Sequence, residues 1–169
     1  MISDDSLRRV VGHYDGIDES SRLRSGWFQL EQARTQELIL RHLPPPPAKV
    51  LDIGGGAGAY ACWLAARGYQ VHLSDPVAKH VEQARAASLR QPAHPLASAE
   101  VGDARHLAQP DSSADAVLLL GPLYHLVERE ERLACLREAR RVLRPGGPGM
   151  GRGHQSFRLV VEFVERRIF

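Results

Sequence analysis

Asp52 stands two residues ahead of Gly54, and Gly56 and Gly58 follow at the same interval, giving the pattern D-x-G-x-G-x-G. Val50 to Ile53 read as a short apolar strand in which Leu51 and Ile53 flank the acid, and Ala59 onward begins a helix. Glycine lets the backbone turn with positive φ and lets a ligand touch the main chain with no Cβ in the way. The free N–H groups of the helix that follows face the same turn. Strand, acid, glycine turn and helix start together make a cradle for a nucleotide-type ligand. A dinucleotide cradle needs G-x-G-x-x-G. Counted from Gly54, its third glycine falls at Ala59, a substitution that pattern allows. It asks neither for an acid two residues before the first glycine nor for Gly58. Asp52 would repel a pyrophosphate but would attract a ligand with an amino or sulfonium cation.

That difference favours S-adenosylmethionine over a dinucleotide, and four further segments fall in a matching order. Val71-His72-Leu73-Ser74-Asp75 is a second apolar strand ending in an acid. Glu100-Val101-Gly102-Asp103-Ala104 follows, then Ala114 to Leu126 with its Gly121-Pro122-Leu123-Tyr124-His125 loop, then Glu138 to Gly147 with its Pro145-Gly146-Gly147 turn. In these five motifs the chain resembles the class I S-adenosylmethionine-dependent methyltransferases over residues 14 to 147. The resemblance implies an α/β, Rossmann-like fold, a mostly parallel sheet with helices on both faces. It implies that Asp52 orients the methionine amino group, that Asp75 takes the ribose hydroxyls and that Asp103 lies beside the adenine amino group. Gly54, Gly55, Gly56 and Gly58 would line the donor, with Pro76, Ala104 and Leu120 in the same loops. Tyr14 and Arg34 belong to the N-terminal region, which in this family folds over the donor. Arg34 either pairs with the methionine carboxylate or is a solvated helix residue. Each acid also has a plainer reading: Asp52 as a helix-dipole acid, Asp75 as a helix cap, Asp103 as a turn former.

Methyl transfer from a sulfonium is an in-line displacement from a donor already activated, so no metal is expected. The protein has to align the acceptor, the methyl group and the sulfur and exclude water. A base near the methyl group helps where the acceptor must lose a proton. Tyr124 and His125 are the candidates there, His125 because imidazole titrates near neutrality; otherwise this loop simply packs over the ligand. The products would be a methylated small molecule and S-adenosylhomocysteine. A catalytically inactive donor-binding fragment and an NAD(P)-dependent oxidoreductase are the alternatives, and Asp52 and Gly58 argue against the second.

The elements that must position these residues fit one domain. The 169 residues are 43% hydrophobic and 25% charged, with a formal net charge of +2. This is enough chain for a real core, and it carries no broad phosphate-binding field, so no nucleic-acid partner is expected. No apolar run is long enough to span a membrane and the start lacks a signal-peptide core, so a cytoplasmic protein is expected. Cys62 and Cys135 lack metal-ligand spacing and read as buried free thiols in helices. Residues 1–47 form an N-terminal helical cap and linker, 48–147 the donor-binding core and 148–169 an atypical C-terminal segment.

Within these bounds a helix is expected from Glu19 to Leu43, with Leu30, Ala33, Leu40 and Leu43 on its apolar face. Pro44 to Pro47 end it. The next helix covers 59–67, with Gly68 just past its end. Pro76 opens a third, with Val77, Val81, Ala84 and Ser88 on one face. Leu133, Leu136, Ala139 and Leu143 face the core from the helix before Pro145. Alternating strands and helices indicate a parallel sheet covered on both sides. After Gly147 the chain departs from the family. A glycine- and arginine-rich stretch replaces the fifth strand, Phe157 to Val164 is the next strand candidate, and the last strands of the seven-stranded family sheet are missing. A truncated or frame-shifted product or a compact variant would leave a sheet edge uncovered, and self-association through it is expected.

Overall fold

A computed structural model describes residues 26–145, together with Arg8 and Gly12. The elements run α1 (Gly26–His42), β1 (Lys49–Ile53), α2 (Ala59–Ala65), β2 (Gln70–Asp75), α3 (Ala78–Leu89), β3 (Ser98–Val101), β4 (Ala116–Leu118), α4 (Pro122–His125) and α5 (Arg129–Val142). The four strands form one parallel sheet in the order β3-β2-β1-β4. β1 and β2 are the central pair, and Val50, Leu51, Val71 and Leu73 are at most 1% exposed. Each such side chain contributes roughly 1.5–3 kcal/mol relative to exposure.

Side chains alternate across the sheet and build two cores. Val50, Val71, Leu73, Ala116 and Leu118 pack with Ile39 of α1, Ala61 and Leu64 of α2 and Val81 and Ala84 of α3. Leu51, Ile53 and Val117 pack on the other side with Leu123, Leu126 and Cys135, Ala139 and Val142 of α5. The Rossmann-like expectation therefore holds over the described residues. The chain order reverses between β1 and β4, and a crevice at the carboxyl ends of strands at such a point is where open α/β sheets bind ligands.

Several local expectations are corrected. α1 buries Thr35 and Ile39, whereas Leu30 is 69% exposed and Leu40 is 42% exposed. α2 ends at Ala65, and Gly68 beyond it has φ +88°. α3 begins at Ala78 and not at Pro76, because Asp75 Oδ1 accepts the Val77 N–H at 2.9 Å and holds 75–77 in a turn first. α5 buries Ala139 as expected, but together with Glu131, Cys135 and Val142, and Leu136 and Leu143 only flank that stripe. Cys135 is buried as expected, whereas Cys62 is only half-buried.

Beyond α5, Leu143 pairs with Ala114 in parallel register and the Arg144 N–H donates to Ala114 O at 2.9 Å. The chain thus leaves α5 along the outer edge of β4. The strand expected at Phe157 to Val164 lies outside the described residues. No helix among the described residues is long and apolar enough to cross a membrane.

Candidate functional site

The glycine turn is fastened between two strands. Gly54 N–H donates to Ser74 O at 2.7 Å, which extends the β1–β2 pairing past Ile53. Gly54, Gly56 and Gly58 have φ of +69°, +56° and +84°. Gly56 N–H donates to Asp75 Oδ2 at 2.9 Å. Asp75 is buried, and its Oδ1 accepts from Val77 N–H and lies 3.2 Å from His80 Nδ1. The plainer reading of Asp75 is thus half right: it closes a turn ahead of α3, and with its other oxygen it holds the glycine loop.

Asp52 sits beneath this turn, on the same face of β1 as Val50. It is 1% exposed, and its Oδ2 has no hydrogen-bond partner among the described residues. A buried carboxylate without a partner is costly, and its pKa is pushed up to about 7, first by burial and then by the negative charge of Asp75. Only glycine at residue 55 lets Oδ2 lie where it does: a Cβ there would stand 2.7 Å from Asp52 Oδ2 and 2.9 Å from Leu73 Cδ1. A cationic group is what an orphaned buried carboxylate lacks, so these residues fit the amino group of a methionine moiety.

On the β4 side the loop after Leu119 presses directly on the turn. A Cβ on Gly54 would fall 2.6 Å from Pro122 Cδ, and a Cβ on Gly121 would fall 2.9 Å from Gly54 O. Buried Leu123 and Leu126 anchor α4 below, and half-buried His125 ends it. Leu120 packs against the α1–α3 core. Tyr14 and the side chain of Tyr124 lie outside the described residues. Arg34 is exposed on α1 in an ion pair with Glu37.

Asp103 follows β3, with Ala104 packed toward the α5 core. Its carboxylate is gripped by Arg105, with Nε 3.0 Å from Oδ1 and 2.9 Å from Oδ2, Nη2 2.6 Å from Oδ2, and the Arg105 backbone N–H 2.9 Å from Oδ1. Burial alone would raise the Asp103 pKa, but the hydrogen bonds and charge of Arg105 outweigh it and hold the acid below its ordinary value. Arg105 Nη1 also donates to buried Glu131 Oε1 at 2.7 Å.

The carboxyl ends of the four strands thus carry the residues singled out from sequence, except Arg34 on α1 and Tyr14, which lies outside the described residues. Arg105, Glu131 and His80 were not among them. The D-x-R spacing was the only sign of Arg105, and a buried acid on a helix leaves none.

The methyltransferase-domain family model matches residues 50–147. Methyltransferase GfsG of Streptomyces halstedii is 35% identical over 100 residues, 59% of this chain and 35% of that protein. The 27-O-demethylrifamycin SV methyltransferase of Amycolatopsis mediterranei is 34% identical over 137 residues, 80% of this chain and 47% of that protein. Among solved structures, phosphoethanolamine N-methyltransferase 1 of Haemonchus contortus, in complex with phosphoethanolamine and S-adenosylhomocysteine, superposes with a TM-score of 0.66 at 28% identity. That superposition covers 85% of this chain and 30% of that one. The chain spans less than half the length of these relatives.

Proposed function

The chain belongs to the class I S-adenosylmethionine-dependent methyltransferases, and from that premise we propose that it transfers a methyl group from S-adenosylmethionine to an O, N or C atom of a small molecule. The observation that carries the reading is Asp52 Oδ2, buried beneath the glycine turn and without a hydrogen-bond partner among the described residues. In this reading Asp52 holds the donor's ammonium. Asp75 takes the ribose hydroxyls through the capacity its oxygens keep beyond Gly56, Val77 and His80. Asp103 accepts from the adenine amino group, and Pro76, Ala104 and Leu120 complete the walls. Bound there, the donor would supply a methyl group already activated by its sulfonium.

The chain's own residues then have three tasks: to orient, to exclude water and to move a proton. Gly54 and Pro122 in contact bring the β4 loop over the turn and shut solvent from that side. His125, on the helix that this loop opens, takes the acceptor's proton. The names of relatives, a 27-O-demethylrifamycin SV methyltransferase and a phosphoethanolamine N-methyltransferase, support a small-molecule acceptor, as does the net charge of +2, which offers no field for a polyanion.

Calorimetric titration of the full chain with S-adenosylhomocysteine tests the donor site. One-to-one binding is expected, and no binding by a folded sample overturns the reading. Release of S-adenosylhomocysteine with a panel of small-molecule acceptors then tests turnover. Binding without release from any of them would leave a donor-binding protein and remove His125 from the scheme.

A further inference from the structure

We propose that Arg105, itself held by Glu131, is the positioning residue that presents Asp103 as an acceptor for a 6-amino purine and thereby sets the base specificity of the site. The inference rests on the donor-binding reading above.

The geometry is that of a clamp. Arg105 is 6% exposed and Glu131 is 4% exposed, so this ion pair is removed from solvent, whereas the Asp103 side chain keeps 27% exposure. Arg105 Nη1 is spent on Glu131, which leaves Nε and Nη2 as a fork for Asp103. A carboxylate has about four lone-pair positions in its plane. Nη2–H donates to Oδ2, the backbone N–H donates to Oδ1 and the single Nε–H is shared between the two oxygens, so three protons face about four positions and one acceptor position remains on the carboxylate. Three of the four positions are fixed by one residue, and the carboxylate cannot rotate without breaking all three bonds.

Ion pairing to a buried guanidinium keeps Asp103 ionised and therefore acceptor-only. Such a group welcomes an N–H donor and repels a carbonyl. A 6-amino purine satisfies the remaining position of the carboxylate, while a 6-oxo purine brings oxygen against oxygen. Glu131 matters because it comes from α5 while Asp103 and Arg105 sit on the loop after β3. It ties the clamp to the core beside Cys135, so the aim of Asp103 is fixed by the body of the domain.

The test compares S-adenosylhomocysteine with its inosine counterpart, in which oxygen replaces the 6-amino group, by titration calorimetry on the full chain. The wild type should prefer the adenosyl ligand by roughly 10- to 100-fold, the range for one hydrogen bond to a charged group. Arg105→Lys keeps the charge but not the fork and should lose most of that preference. The double variant Arg105→Met with Glu131→Leu replaces a buried ion pair by apolar groups, an exchange that folds often tolerate. It should lose the preference while its affinity for the inosine ligand changes little. A purely structural role would weaken both ligands by one factor and leave the ratio intact; an intact ratio in either folded variant overturns the inference and leaves the donor reading standing. Failure of the folded wild type to bind either ligand overturns both.

Discussion

Oδ2 of Asp52 stands 2.7 Å from the point where a Cβ on residue 55 would lie, so Gly55 and Asp52 share one small volume. The neighbouring Gly56 has the opposite need: nothing lies within 4 Å of its added Cβ, but its φ is +56°. The two glycines are therefore required for different reasons, space at 55 and backbone handedness at 56. Gly55→Ala should push the Asp52 carboxylate aside and weaken S-adenosylhomocysteine binding by at least tenfold. Gly56→Ala should show chiefly the left-handed backbone penalty of about 1–2 kcal/mol in stability, with Gly56→Asn recovering part of it. Titration calorimetry and thermal melts on the three variants separate the effects; equal affinity in Gly55→Ala and wild type would sink the spatial argument.

The raised pKa of Asp52 makes stability and donor affinity depend on pH in opposite ways. Burial first, and the charge of Asp75 second, put this carboxyl at about 7 in the folded chain, against about 3.9 when unfolded. Between those values the folded state holds a proton that the unfolded state lacks. Stability therefore falls as pH rises through that window, by at most about 4 kcal/mol for one group, and the penalty is complete above it. Asp52→Asn should remove the penalty, so the variant's melting temperature should overtake the wild type's increasingly from about pH 4 to pH 8. Donor binding should run the other way, because a cation selects the ionised carboxylate: affinity rises with pH to about 7, and binding below it releases a proton. Titrations near pH 6 in buffers of different ionisation heat measure that proton; identical apparent heats would overturn the assignment of Asp52 to the amino group.

Asp75 combines a structural duty with a binding duty that the choice of ligand can separate. Its Oδ2 fastens the glycine turn through Gly56 N–H and its Oδ1 closes the turn into α3 through Val77 N–H. Asp75→Ala removes both bonds along with the ribose contact and should weaken S-adenosylhomocysteine at least 100-fold, given about 1.5–3 kcal/mol for each bond to a charged group. The 2′-deoxy ligand isolates the ribose contact. Wild type should bind it more weakly than the ribose form, and Asp75→Ala should bind the two equally. A persistent preference in the variant would mean that another group reads the hydroxyls.

What could be read from the chain, and what could not, follows from where the information resides. The stretch from Asp52 to Gly58 announces itself because spacing, polarity and backbone freedom all lie in consecutive residues; β2 was legible in the apolar run Val71 to Asp75, and the parallel order in the alternation of strands and helices. The buried faces of α1 and α5 were not. Leucine spacing pointed to Leu30 and Leu40 and to Leu133 and Leu136, whereas the structure buries Thr35 and Ile39, and Glu131 with Cys135. Glu131 is tolerated inside because Arg105, 26 residues earlier, meets it there. A local hydrophobic pattern cannot register a partner supplied by a different loop. The same holds for Asp75, whose turn with Val77 delays α3 past the proline that would otherwise start it.

Arg141 offers the sharpest test of how the loop carrying Asp103 is braced. Its guanidinium donates to Leu107 O at 2.8 Å, Gln109 O at 2.9 Å, Asp111 Oδ1 at 2.7 Å and both Glu138 oxygens, and Glu138 Oε2 in turn accepts Leu107 N–H at 2.8 Å. Exposed ion pairs alone would be worth little, but here one planar fork satisfies two backbone carbonyls and fixes the acid that holds Leu107. Lysine, with one compact ammonium, cannot span these acceptors. Arg141→Lys and Arg141→Ala should therefore both lower stability by about 1–3 kcal/mol, with lysine recovering little. Amide exchange should rise at Leu107 and its neighbours while β1 and β2 stay protected. Full rescue by lysine, or faster exchange spread evenly over the sheet, would show that charge and not the fork holds the loop.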